Sequence, residues 1–411
     1  MDTSNTPEPR PGRPRGRRRR ARRRATPATP PEPAERRSPD APAESSGGSG
    51  RGEQGAKRRG PRRSRRRRGR RGQSAPAPRQ SGGEFPYVAL TVHATGIHPA
   101  TARVVALDAI PFAADGSTGE PFRRLVNPGP GSDIGPRHEH GLSPEDVASE
   151  PGFGKVLKAL DRLIDGRTLV VHDAARSWGF IVSEAKRAMA KAARANRRGP
   201  KGGRRQKVGH VPKPGAIVDT LATARRRELV LPDNRLATVA RAAGLDAEPA
   251  DATIERARLS EHDVTRGETE LLAALGARFV SGEDEGLPVS SHRPGELRAD
   301  EFGLQRESFR VEAHAAPGGA PNPGRYEPGR ELVPGMEVVL APETRLPPEE
   351  IIPPLTAAGL NFREKVSRET SLVVCNVTTH SELTGKSLHA HRKGIPLMSD
   401  VAFLEALSRM P

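Results

Sequence analysis

Regular apolar spacing begins at Phe85. Tyr87–Val92 (YVALTV), Ala102–Phe112 (ARVVALDAIPF) and Phe122–Pro128 (FRRLVNP) are apolar runs of strand length. The glycine-bearing ADGSTGE between the second and third is a hairpin signal, so three consecutive strands predict an antiparallel meander. Val156, Leu157, Leu160, Leu163 and Ile164 share one helical face. Thr168–His172 (TLVVH) is short and apolar, as a strand buried on both faces would be. A basic helix follows, then the positively charged loop RANRRGPKGGRRQK. Ala216–Thr220 (AIVDT) is another short strand, with Asp219 placed to cap the next helix. Asp233 is the expected cap of a helix carrying Leu236, Val239, Ala240 and Ala243, with Gly244 as its stop. HDVTRGETELLAALGARFV is the last helix of this unit.

Residues 281–331 are rich in Pro, Gly and Arg, lack periodicity and read as a linker. Alternation resumes at Gly335. MEVVLA, NFREKV, SLVVCN and IPLM are strands. PEEIIPPLTAAG is a helix interrupted by Pro353 and Pro354, TGKSLHAHRKG is a second, and SDVAFLEALSRM is a third with a Ser399 cap. Strands alternating with helices predict a small, largely parallel sheet.

Composition changes the picture at the N-terminus. The 411 residues suggest two or three domains, but 3% aromatics with 43 Gly and 41 Pro cannot order every segment. Residues 1–84 hold 25 Lys and Arg against 8 Asp and Glu, which is +17 of the chain's +18. Two arginine clusters, RPRGRRRRARRR and KRRGPRRSRRRRGRR, sit in Pro/Ala/Ser/Gly spacer, so this tail is expected to be disordered. Its chemistry fits phosphate binding through counterion release, which is tight, salt-sensitive and sequence-blind. The single cysteine, Cys375, allows no intramolecular disulfide and no cysteine metal cluster, which suits a reducing, intracellular setting. No apolar run approaches the ~18 residues of a membrane helix, and the N-terminus lacks the apolar core of a secretory signal.

The middle unit resembles the DEDDh exonuclease family, which includes the proofreading subunit of bacterial DNA polymerase III. VALTVHATGIHPATARVVALDAI is similar to the family's first motif and its following strand. HEHGLSPEDV resembles its His-Gly turn and next helix, VVHDAARSWGFIVSEA its second motif, VDTLATARR and LPDNRLATVARAAGL its intervening helices, and HDVTRGETELL its third motif. The resemblance implies four carboxylates holding two metals roughly 4 Å apart, with a histidine as general base.

Here every acidic position has changed. Thr91 and His93 stand at the first-motif Asp and Glu, Ser177 at the second-motif Asp and Gly267 at the third-motif Asp. The base position keeps His262. Magnesium needs oxygen ligands, usually anionic, and none of these side chains supplies one. Arg176 adds positive charge beside the second motif. Asp108, Asp173, Asp219, Asp263 and Glu268 are the nearby acids. Asp263 and Glu268 are expected to point about 100° away from the Gly267 direction on a helix. A cleft that has lost four carboxylates should favour phosphates. Arg176 and the basic loop with Arg197, Arg198, Lys201, Arg204 and Arg205 are the candidate nucleic-acid contacts.

The C-terminal unit resembles a BRCT domain in its order of strands and helices. Lys386 matches a lysine that contacts phosphate in phosphate-binding members of that family, and Thr344 lies near the place of their Ser/Thr-Gly pair. That pair is here Ala341-Pro342, which offers neither hydroxyl nor proline N–H.

These readings predict an α/β protein in four parts. A disordered Arg-rich tail (1–84) precedes a ribonuclease H-like mixed sheet flanked by helices (85–280), a linker (281–331) and a small parallel-sheet BRCT-like domain (332–411). The expected function is that of a catalytically inactive, exonuclease-like protein of DNA replication or repair. It would bind DNA through the tail and the cleft, and a replication or repair protein through the BRCT-like domain. It would be cytoplasmic and nucleoid-associated, without membrane contact. No cofactor is expected. Magnesium or manganese belongs to a rival reading, an active 3′–5′ exonuclease with non-standard ligands. The other rival is a protein-interaction scaffold without DNA binding.

Overall fold

The computed structural model describes residues 83–410, apart from 200–204, 252, 255–257, 282–285, 378 and 380–382. The tail prediction and two candidate contacts, Lys201 and Arg204, lie outside the described residues.

The meander forms as its pattern predicts. β1 (Tyr87–Ala94) pairs antiparallel with β2 (Val104–Phe112), which pairs antiparallel with β3 (Phe122–Leu125). All nine residues of β2 are buried, which suits a strand covered on both faces. Two short helices follow, α1 (Arg137–His140) and α2 (Pro144–Ala148), then α3 (Phe153–Ile164). β4 (Thr168–Val171) runs parallel to β1, α4 (Ala174–Arg198) returns over the sheet, and β5 (Ala216–Asp219) runs parallel to β4. After α5 (Thr220–Arg226), α6 (Leu236–Ala242) and α7 (Glu261–Val280), the two-residue β6 (Ser291–His292) closes the sheet antiparallel to β5. The strand order is β3-β2-β1-β4-β5-β6. This is a ribonuclease H-like mixed sheet flanked by helices, with one added edge strand.

Helix patterning decides which face each helix covers. The apolar stripe of α3, with Trp178, Ile181 and Ala185 of α4, packs on Val88, Leu90, Leu169 and Val171. The opposite face, with Ala89, Phe112 and Val170, is covered by Leu272, Ala273 and Ala277 of α7. Gly276 permits this approach, because a Cβ there would lie 2.9 Å from both Phe112 and Val170. Asp219 caps α5 as expected, accepting from the Leu221 and Ala222 N–H groups. Asp233 differs from its expected role. It accepts from the Arg235 N–H in the turn before α6, and Arg235 takes the cap position.

Residues 281–331 carry more structure than their pattern suggests. Besides β6 they hold a hairpin, β7 (Leu297–Ala299) with β8 (Gln305–Glu307), and the helix α8 (Ser308–Ala315). The hairpin tip docks on the turn after β1, where Ala100 N–H donates to the Phe302 carbonyl at 2.8 Å and the Phe302 ring lies 4.7 Å from that of His98.

The C-terminal sheet is parallel throughout, in the order β10-β9-β11-β12. Its strands are β9 (Glu337–Leu340), β10 (Asn361–Arg363), β11 (Thr370–Val374) and β12 (Leu397–Met398). Between and after them lie α9 (Pro348–Ala357), α10 (Gly385–Arg392) and α11 (Asp400–Ser408), the last capped by Ser399. The helix read as interrupted runs on through Pro353 and Pro354. The prolines are the sixth and seventh of its ten residues, and the carbonyls four residues back that lose an N–H partner belong to Glu349 and Glu350, which are exposed to solvent.

Among the described residues no helix is long and apolar enough to cross a membrane.

Candidate functional site

A cleft of about 850 Å³ opens where β1, α4 and α7 meet. Alternation along β1 places Thr91 and His93 on one face, toward α7. The β1–β2 register shifts just after His93, which bends the strand at the cleft. The first turn of α4 brings Arg176 and Ser177, and α7 brings Gly267. Thr91, His93, Ser177, Gly267 and Arg176 all line this one cleft. His262 is not among its lining residues. Its ring is 55% exposed, with Nδ1 3.3 Å from the Asp263 carboxylate.

The side chains at the four motif positions are turned to other uses. Ser177 Oγ donates to the His172 carbonyl at 2.8 Å. His93 Nε2 lies 3.2 Å from Glu268 Oε2. Its ring also meets that of His140 edge-on at 6.0 Å. The buried Thr91 Oγ1 has no hydrogen-bond partner among the described residues. A Cβ at Gly267 would meet nothing within 4 Å, so the site has room for a side chain.

The five nearby acids are also engaged. Asp108, directly across from Thr91 on β2, is fully buried, and Arg266 Nη2 donates to its Oδ2 at 2.7 Å. Burial pushes the Asp108 carboxyl up, and Arg266 opposes that shift. Asp219 accepts from Ala174 N–H as well as capping α5. Asp173 occupies a left-handed backbone position (φ 57°) at the start of α4. Burial and the neighbouring Asp219 raise its pKa, and Arg176 lies 3.7 Å away. Asp263 is held by Ser260 and His262, which lower its pKa. Glu268 faces His93.

Two sequence expectations need correction here. Asp263 and Glu268 both line the cleft, Glu268 from about 100° round the helix from Gly267. Asp263 precedes Gly267 by four residues and so shares its stripe of the helix. Nor is the cleft poor in negative charge. Glu139, Asp233, Asp246, Glu248, Asp263 and Glu268 line it, against Arg176 and Arg235. These acids come from three separate stretches of chain, so no local motif announces them.

Two histidines are part of the frame. His140 is buried, and its Nδ1 accepts from the Leu142 N–H at 3.1 Å, which places the proton on Nε2. Burial lowers its pKa, and His93 adds to the effect. Gly141 then turns the chain at φ 72°, which accounts for the His-Gly pair in the sequence. His172 bridges Thr220 Oγ1 (2.9 Å) and the Asn234 carbonyl (2.7 Å), and burial lowers its pKa.

A pair of divalent metals does not fit these residues. No carboxylate stands at any of the four positions, and Asp108, Asp173, Asp219, Asp263 and Glu268 are each engaged by an arginine, a histidine, a helix end or a hydroxyl. Among the described residues no group of three or more His, Cys, Asp or Glu side chains is placed to hold a metal ion.

The remaining candidate contacts separate. Arg197 lies 21 residues beyond Arg176 on α4, about 31 Å along the helix axis. Arg197 and Arg198 are exposed at its far end. Arg205 follows on the returning chain, which Asn196 holds by a two-way amide contact with Gln206. In the C-terminal unit, Lys386 Nζ donates to the Leu340 carbonyl at 3.0 Å and lies 3.4 Å from Glu364, while Thr344 Oγ1 donates to the Leu346 carbonyl. Burial, then the charge of Arg310, brings the Lys386 ammonium down to about 8. Glu364 also binds Arg310 and faces Arg306. Burial alone would raise its carboxyl, but Arg310 foremost outweighs that and holds it at about 2.

No family model matches the chain, and no curated protein matches it. Similar solved structures include a 3′-exonuclease in a structure of 3′-end specific recognition of histone mRNA stem-loop. It is 10% identical, with 55% of this chain and 91% of that chain covered and a TM-score of 0.36. Exonuclease X in complex with 5′ overhanging duplex DNA is 14% identical, with 49% and 96% covered and a TM-score of 0.30. The zinc-bound E. coli Exonuclease I–ssDNA complex is 15% identical, with 49% of this chain and 41% of that chain covered and a TM-score of 0.33. At these identities and TM-scores the likenesses bear on neither substrate nor activity.

Proposed function

We propose that this chain is a nucleic-acid-binding protein on a DEDDh exonuclease frame whose cleft does not carry out metal-dependent hydrolysis. The observation that supports this most is the convergence of Thr91, His93, Ser177 and Gly267 on one cleft, where the family pattern calls for four carboxylates. The arginine-rich segment 1–84 suits DNA as the partner. The chain would act in replication or repair, in the cytoplasm and associated with the nucleoid. Residues 332–411 would serve as a BRCT-like protein-contact domain. The run of β9, α9, β10, β11, α10, β12 and α11 supports that resemblance.

The test is a 3′-end-labelled single strand incubated with the purified chain in magnesium or manganese. The wild type is expected to leave it intact. The quadruple variant Thr91→Asp, His93→Glu, Ser177→Asp and Gly267→Asp is expected to gain trimming, with room for the new side chain at residue 267. Trimming by the wild type that disappears in His262→Ala would favour the active-exonuclease reading.

A further inference from the structure

The outer face of α3 and α4 carries positive charge of a kind the cleft does not. On α3, Lys155 and Lys158 are exposed one turn apart. On α4, Lys191 and Arg194 repeat that spacing and are exposed. The two helices touch here, since a Cβ at Gly154 would lie 3.3 Å from Ala188 Cβ and 3.8 Å from Val208. The returning chain with Arg205 and Lys207 runs alongside, because a Cβ at Gly209 would lie 2.9 Å from the Lys158 backbone nitrogen. None of these six cations forms an ion pair with another described residue.

The acids of the same stretch are held elsewhere. Asp161 is buried and Asp165 half-buried, both against His210. Glu184 is buried between Arg103 and Arg187. Asp173 sits at the start of α4, 18 residues before Lys191 and about 27 Å along the helix. The face therefore presents cations without exposed carboxylates between them. It also presents no aromatic ring, because Phe153, Trp178 and Phe180 are all buried. Proteins that hold single strands stack bases on exposed rings, and this face has none to offer. Charge without rings suits a partner that displays phosphates and keeps its bases stacked inside.

We propose that this α3–α4 face is the folded part's binding surface for the phosphate backbone of duplex DNA, independent of sequence and separate from the cleft. The proposal rests on the nucleic-acid-binding reading above and gives it a place and a ligand. Lysine acylation of the full chain, with and without a 20-base-pair duplex, tests it without any variant. Lys155, Lys158, Lys191 and Lys207 are expected to become several-fold less reactive with the duplex bound, while Lys365 and Lys393 in the C-terminal unit keep their reactivity. In a second measurement, full-length Lys155→Glu/Lys158→Glu/Lys191→Glu should bind the duplex about tenfold or more weakly. The slope of log affinity against log salt should fall by about 2 to 3, close to one unit per lost phosphate contact. Duplex binding with these four lysines unprotected and the triple variant unchanged would overturn the proposal and leave the reading standing. A full chain that binds neither duplex nor single strand at low salt would overturn both.

Discussion

The cleft and the outer α3–α4 face share one helix, α4, yet their charges are arranged in opposite ways. Around the cleft, carboxylates face arginines or a histidine at close range. Arg176 lies near Asp173, His93 near Glu268, and Arg266 reaches the buried Asp108. Along the far half of the helix the cations stand in water, and the acids of the same stretch are held inside. Charge paired in this way is spent on the fold, and the cleft wall itself carries more acids than arginines. Unpaired charge on the outer face remains available to a polyanion.

The largest expected effect breaks the cleft side of the comparison. Arg266→Met leaves Asp108 buried and uncompensated, and removing one partner of a buried pair costs about 3–5 kcal/mol. Denaturant unfolding measures the loss. If Asp108 were instead a latent metal ligand, manganese would restore stability to this variant, and we expect no restoration.

The Glu364 cluster is a control that lines neither the cleft nor the α3–α4 face. Glu364→Gln removes the carboxylate shared by Arg310, Arg306 and Lys386, and should lower stability by about 2–3 kcal/mol without changing duplex affinity. The pH dependence follows in sign. The folded carboxyl titrates at about 2, below its ordinary 4.5. Its contribution is thus complete above about pH 4.5 and is lost as pH falls from there toward 2. Chemical denaturation between pH 2 and 6 should show this slope in the wild type and a shallower one in the variant.

Smaller effects sharpen the contrast. Asp246→Ser with Glu248→Ser removes two carboxylates from the cleft wall. It should raise single-strand affinity a few-fold at low salt and leave duplex affinity nearly unchanged. Thr91→Val should be neutral or slightly stabilising, by less than about 1 kcal/mol, because the buried Oγ1 has no partner to lose. A marked loss of stability in that variant would mean that the hydroxyl is bonded after all.

Much of the frame is legible in the sequence because it is local. The meander, the buried β4, the Asp219 cap and the alternating C-terminal elements each carry their own period or end signal. Residues 281–331 do not, because strands of two or three residues are too short for alternation to show. Their order comes from distant partners. Gly303 lies close against Ala100, where a Cβ would meet the Ala100 nitrogen at 2.7 Å. The motif positions come from the family resemblance, and nothing local in the sequence tells the fate of the acids. Arg266 reaches Asp108 across 158 residues, and the cleft's acidic wall is assembled from α1, the loops on either side of α6, and α7, with no shared pattern.

The central proposal is that the cleft lined by Thr91, His93, Ser177 and Gly267 does not carry out metal-dependent hydrolysis. The most direct measurement is a time course of 3′-end trimming by the purified wild-type chain in manganese. The account predicts a full-length strand at every time point. Progressive shortening that vanishes in Glu268→Gln would contradict it, since that carboxylate would then be serving the reaction and not only facing His93.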